Sequence, residues 1–331
     1  MRAGPCTSTG LWVVLLLLSN GVRAQQTPSP VSGRSLNVAD VLPADVLARA
    51  SLLGAEVDLI RARMNKPRVA PLQIEVAHAQ PREVYFQALT VFHKANELSF
   101  DQVRRLGAVP PAVPTAEIRP YHVWTVVNEA LKRILEVKKD LGITKVAKEV
   151  RVPDETTPSE VFGAILQADR QLHSLLDQQY RPAEVFQQVT LAVHYSARLL
   201  AHFADAKRIP EAPAFEPNKL PADVFRRLQS CLDVTGRIAA RSGEKMLGLN
   251  TDKVDWNAVV PGDVYYIASL VVSELAHLHG RAEDISAVVP AYHPGDKTPS
   301  HVFRRVGLLE IQLEQLLTLM GSEPSGPMVR Q

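Results

Sequence analysis

The chain has 331 residues, 46% of them apolar and only 6% aromatic, with 37 basic side chains against 35 acidic ones. That apolar content is enough for one or two packed cores, and a surplus of Leu, Val and Ala over aromatics suits helix-on-helix packing better than a sandwich or barrel. A net charge of +2 excludes the strongly basic surface that nucleic acid or an anionic membrane would select.

Residues 1–24 read as a signal peptide. Arg2 gives the positive start, Leu11 to Leu18 the apolar core, and Val22 and Ala24 the small residues before a cleavage point at Gln25. The apolar run is far shorter than the roughly 20 residues of a membrane span, so no span is expected after cleavage. Cleavage removes Arg2 and Arg23 and no acid, leaving 35 basic and 35 acidic side chains. The mature chain is expected in the periplasm or secreted. It keeps one cysteine, Cys231, and therefore has no internal disulfide. Residues 25–38, polar and rich in Pro and Ser, read as a flexible N-terminal segment.

From there one signature recurs eight times: Pro, any residue, an acid or His, Val, and a bulky apolar residue. The prolines are Pro43, Pro81, Pro120, Pro158, Pro182, Pro221, Pro261 and Pro299. The third residues are Asp45, Glu83, His122, Glu160, Glu184, Asp223, Asp263 and His301. Pro is pre-set for the first helical position, where its missing N–H would be unpaired anyway. An acid two residues later suits the positive end of the helix dipole, and Thr157 with Glu160 reads as a capping box. Each signature therefore predicts a helix start. The positions 4, 7, 11 and 14 residues after each Val are nearly always small or apolar, and the last of them is Ile60, Leu98, Val137, Leu175, Leu199, Ile238, Leu278 and Leu316. This is the buried stripe of a helix of roughly 17 to 24 residues, about 25 to 36 Å long.

The spacing of the prolines sets the organisation. Seven gaps separate them, and only that from Pro158 to Pro182 is short. The expected fold is all-α, a tandem duplication of a four-helix bundle-like domain with long Pro-rich connectors. The first half is 39–180, the second 181–320, and 321–331 is a flexible tail. A connector of ~15 residues in extended form covers roughly 45 Å, enough to run back along a helix so that consecutive helices point the same way. The alternative is that connectors hold short extra helices, as 143–150 would. The brief link through Gln178 to Arg181 is expected to make the fourth and fifth helices antiparallel neighbours or one bent rod. Leu106–Gly107, Leu141–Gly142 and Leu247–Gly248 read as helix ends.

Chemistry leaves few marks. Glu75 with His78, and Glu274 with His277, have the spacing that puts a carboxylate and an imidazole on one helix face, as di-metal bundles require, but they occupy unequal places in the repeat. His277 and His279, two apart, do not face each other on a helix. Asp169, His173 and Asp177 line up at four-residue steps along the fourth helix. Asp169, His173, Asp177, Glu274 and His277 are thus the weak metal candidates, with a solvated polar stripe as the plain alternative. Gly-x-Ser-x-Gly, a Gly-rich phosphate loop and a Cys/His arrangement are all missing; Cys231 stands where sister helices have Leu, Val or Ala and reads as a packing residue. The sequence names no catalytic residue and no cofactor. The expected function is a non-catalytic helical binding or scaffold protein of the cell envelope, offering the groove between its halves to an envelope protein or small ligand. The alternative is a periplasmic small-molecule or metal-binding bundle.

Overall fold

Each of the eight prolines begins a helix in the computed structural model, which describes residues 40–70, 73–111, 114, 117–148, 150–176, 180–282 and 295–322. The helices are α1 (Pro43–Arg63), α2 (Pro81–Val103), α3 (Pro120–Asp140), α4 (Pro158–His173), α5 (Pro182–Leu200), α6 (Pro221–Arg241), α7 (Pro261–Arg281) and α8 (Pro299–Ser322). The signal-peptide reading, the segment 25–38, most of the tail and Asp177 lie outside the described residues.

The residue before each proline sets the start. Leu42, for example, holds extended backbone with φ −97° and ψ 162°. The third residue of the signature then reaches back and accepts a hydrogen bond from that residue's N–H. Asp45 does so at 2.9 Å, Glu184 at 3.0 Å, Asp223 at 2.9 Å and Asp263 at 3.0 Å. Glu83 does the same with Gln80. In the two helices that carry His instead, Nδ1 is the acceptor: His122 from Arg119 N–H at 2.9 Å, and His301 from Thr298 N–H at 3.2 Å. At α4 the capping residue returns the bond through its side chain: Glu160 accepts from Thr157 N–H at 2.7 Å, and Thr157 Oγ1 accepts from Glu160 N–H at 3.3 Å.

The predicted stripe is the core. The eight residues from Ile60 to Leu316 that close it are each at most 2% exposed. Cys231 packs among them with no exposure. α1 packs on α3 and α4, and α2 on the same pair; α5 packs on α7 and α8, and α6 on the same pair. In each group the two consecutive helices that come first are therefore diagonal partners.

Pro43, Pro81, Pro120 and Pro158, with Val46, Val84, Val123 and Val161, surround one small apolar space of about 20 Å³. The corresponding prolines and valines of α5 to α8 surround another. All four helices of a group thus start at the same end and run parallel, and every connector within a group carries the chain back along it. Both groups belong to one compact unit.

Several sequence expectations need correction. α4 and α5 do not pack along their lengths, so they are not antiparallel neighbours. α2 ends at Val103, because Arg104 itself takes the left-handed conformation (φ 56°) three residues before Gly107. α6 ends at Arg241, and Gly243 (φ 75°) rather than Gly248 makes the turn. Gly142 (φ 68°) follows α3 as expected. The described part of 143–150 carries no helix. Two connectors instead form a small antiparallel sheet: β1 (Glu75–Ala77) pairs with β2 (Gly248–Asn250), with Val76 opposite Leu249. Glu75 therefore sits in a strand and pairs with Lys253, while His78 adopts φ 59°, so these two residues do not share a helix face.

Candidate functional site

Where α4 faces the start of α7, the structure opens a cleft of about 390 Å³, at the lower end of the roughly 300–1,000 Å³ of small-molecule sites. The last turns of α4 supply Asp169, Arg170 and His173; α2 supplies Lys94; α7 supplies Gly262, Asp263 and Tyr266. Pro67 and Val69, just after α1, form another wall. They are held there by Gln171, whose side-chain amide donates to the Val69 carbonyl at 2.6 Å.

Two buried ion pairs cross the cleft. Lys94 Nζ lies 2.6 Å from Asp169 Oδ2, and Arg170 Nε lies 3.0 Å from Asp263 Oδ1. Asp263 also caps α7 through Val260 N–H, so Arg170 ties α4 of one group to the first turn of α7 in the other. Burial pushes the Asp263 carboxyl up despite the opposing pull of Arg170 and of that N–H. The four charges cancel pairwise, as buried charges must. Asp169 is 3% exposed, which overturns the solvated stripe expected of α4.

An aromatic stack flanks the ion pairs. The His173 ring lies on Tyr180 (centroids 4.6 Å apart, planes at 15°), and Tyr180 lies on Tyr265 (4.2 Å, 11°). Lys94 Nζ sits 5.0 Å from the Tyr180 ring centre, a cation–π distance. Gly262 permits this arrangement: a Cβ there would stand 3.1 Å from His173 Cδ2. Burial, with Lys94 and Arg170 adding to it, lowers the His173 pKa to about 4, so the imidazole is neutral near pH 7. Among the described residues, Asp169 Oδ1, Arg170 Nη1, His173 Nδ1 and Tyr266 Oη are buried without a hydrogen-bond partner.

A second charged cluster joins the groups at the start of α2. Arg82 Nη2 lies 2.9 Å from Glu274 Oε2 and 3.4 Å from Glu83 Oε1, and donates to the Lys245 carbonyl at 2.9 Å. Glu83 Oε1 also accepts from Leu247 N–H at 3.1 Å. Burial first, and the Glu274 charge second, raise the Glu83 pKa to about 8. His277 is half-buried and faces Glu244 at 3.5 Å.

Of the sequence candidates, Asp169 and His173 meet in the cleft, whereas Glu274 and His277 belong to the second cluster. Among the described residues no group of three or more His, Cys, Asp or Glu side chains is placed to hold a metal ion. Sequence reasoning missed Lys94, Arg170, Asp263, Tyr180 and Tyr265. One signal was available: ten residues after the signature Val the helices carry Glu56, Lys94, Arg133, Gln171, Tyr195, Val234, Glu274 and Gln312. A position beside an apolar stripe that stays polar almost throughout marks buried polar partners, and Glu56, Lys94, Gln171, Glu274 and Gln312 are all buried. No protein-family model, no characterised protein and no solved structure matches this chain.

Proposed function

We propose that this is an exported, non-catalytic binding protein, made by tandem duplication of a four-helix unit, that holds a small ligand in the cleft between its two halves. The duplication is supported by bonds made twice at equivalent places. Ala79 N–H donates to Ser159 Oγ and Lys219 N–H to Ser300 Oγ, both at 3.1 Å. Gln171 and Gln312 each donate to a connector carbonyl, of Val69 and Arg208, at 2.6 Å.

The observation that carries the binding reading is the cleft itself, walled by buried polar side chains with atoms left unpaired. Its two cations are not repeated in the second half, although the Asp169 carboxylate is. The counterparts of Lys94, Asp169, Arg170 and His173 there are Val234, Glu310, Ile311 and Glu314, so the repeat alone does not account for the cations. The site lies between the halves, not inside one four-helix core.

The test is a thermal-shift screen of the mature chain against a broad small-metabolite panel, with hits repeated on Gly262→Leu, which would fill the cleft beside His173. A ligand whose stabilising effect disappears in that variant supports the reading. A screen with no hit, or with hits that Gly262→Leu leaves intact, removes it. A second reading, a scaffold for an envelope protein, is favoured by Leu106 and Val109 on one connector, 87% and 89% exposed. Retention of a specific partner by the wild type and its loss in a Leu106→Ser/Val109→Ser variant would support that reading instead.

A further inference from the structure

We infer that the cleft takes an amino-acid-like zwitterion: a small molecule with a carboxylate for Arg170, an ammonium for Asp169 and an apolar body. This rests on the cleft being a ligand site at all. Three observations narrow the ligand. Charge comes first. The buried charges of the lining, Lys94, Arg170, Asp169 and Asp263, cancel pairwise, and His173 adds none near pH 7; Lys66, which also lines the cleft, is only half-buried. A ligand that sets one net charge against these buried pairs finds no spare counter-charge among them, which is costly in a low-dielectric site; a molecule neutral overall avoids that cost.

The second observation is the polarity of the unpaired atoms. Arg170 Nη1 is a donor with no acceptor, and Asp169 Oδ1, one residue earlier, is an acceptor with no donor. These two neighbouring groups ask for one ligand acceptor and one ligand donor close together, and His173 Nδ1 and Tyr266 Oη, also without a partner, each leave room for one further hydrogen bond. A buried polar atom without a partner is unfavourable, so a ligand that supplies both bonds removes that penalty, more strongly where the bonds are charge-assisted.

The third is the rest of the lining. Val69, Leu166, Leu176, Val260 and Pro261 present apolar surface. A purely polar molecule such as a sugar would leave that surface unused.

The test is calorimetric titration of the mature chain at pH 7 with L-leucine and L-phenylalanine. Each is compared with its decarboxylated amine (3-methylbutylamine, phenethylamine) and its deaminated acid (4-methylpentanoate, 3-phenylpropionate). At least one zwitterion is expected to bind, with removal of either charged group weakening binding tenfold or more. Gly262→Ala, which presses on His173 and leaves every charge in place, is expected to weaken the same zwitterion severalfold. Asp169→Asn is expected to weaken the zwitterion more than the acid, because only the zwitterion has an ammonium for that carboxylate. Binding of the amine or acid as tightly as the zwitterion overturns the ligand class while leaving a ligand in the cleft. Binding by none of the six overturns the class as well. The broad metabolite screen with Gly262→Leu then decides separately whether the cleft binds anything.

Discussion

At the residue scale, the third position of the signature matters more than its role as punctuation suggests. Because the helices of a group start together, the positive ends of four helix dipoles converge, a repulsive arrangement. An acceptor at each start that takes up the capping N–H offsets it. Six helices use a carboxyl group; α3 and α8 use an imidazole nitrogen. A protonated imidazole has no acceptor, so the bond at α3 exists only while His122 is neutral. Burial, and then Arg119, hold the His122 pKa below the usual histidine value. The folded value is depressed, so this contribution is present above the unfolded pKa and is lost as pH falls through the folded one. His122→Asp, which restores the carboxylate of the sister helices, is expected to stabilise the protein by about 0.5–1 kcal/mol. Relative to wild type, that gain should be larger at pH 5 than at pH 7.5 in urea unfolding. An equal or smaller gain at pH 5 would show that the imidazole nitrogen is not the working acceptor. The helix starts themselves were legible, because Pro and the acid have a local reason to be there. That His takes the same role was not, since only the geometry of the first turn reveals a nitrogen aimed at the capping N–H.

At the element scale, the buried stripe was legible from steps of three and four, and so was the grouping in fours, from one short gap between prolines. The parallel course of consecutive helices followed from connector length alone. The β1–β2 pairing did not, because two three-residue strands far apart in sequence carry no local pattern. Nor did the cross-helix ion pairs, which depend on which helices are neighbours. Between α1 and α3, Lys138 Nζ lies 2.5 Å from Glu56 Oε2, with both side chains buried, and Glu56 Oε1 also accepts from Ala147 N–H at 3.2 Å. At the same distances from their signature valines, α5 and α7 carry Tyr195 and His279, ring centroids 5.5 Å apart. Lys138→Met alone strands the Glu56 carboxylate and is expected to cost about 3–5 kcal/mol. Lys138→Met with Glu56→Leu should recover most of that loss, though not all, since Ala147 N–H then loses its acceptor. Chemical unfolding of the two variants checks this. A double variant no more stable than the single one would mean that packing, not the stranded charge, sets the cost.

At the scale of the whole molecule, polar contacts join the two helix groups: Arg170 to Asp263 beside the cleft, Arg82 to Glu274 and to the Lys245 carbonyl, with Leu247 N–H to Glu83 beside it, and the β1–β2 ladder. The second of these ties the fit between the groups to pH. Glu83 and Glu274 share a single guanidinium nitrogen, and the Glu83 pKa is raised from 4.5 to about 8. In the unfolded chain Glu83 loses its proton near 4.5; in the fold it keeps it to about 8. Its raised value therefore favours the folded state below the unfolded pKa, and that advantage drains away as pH rises from about 4.5 to about 8. Glu274→Gln tests the cause. The amide oxygen can still accept from Arg82, and the amide NH₂ replaces Glu274 Oε1, which has no partner among the described residues, so the contact survives and only the second charge is gone. Glu83 should then ionise at lower pH, and the decline of stability between pH 5 and pH 8 should become shallower by about 1–2 kcal/mol. The variant is expected to be more stable than wild type at pH 8.5 and near its equal at pH 5. The same slope in both proteins would mean that burial alone, without Glu274, raises Glu83, and that the join between the groups responds to pH through desolvation and not through the paired carboxylates.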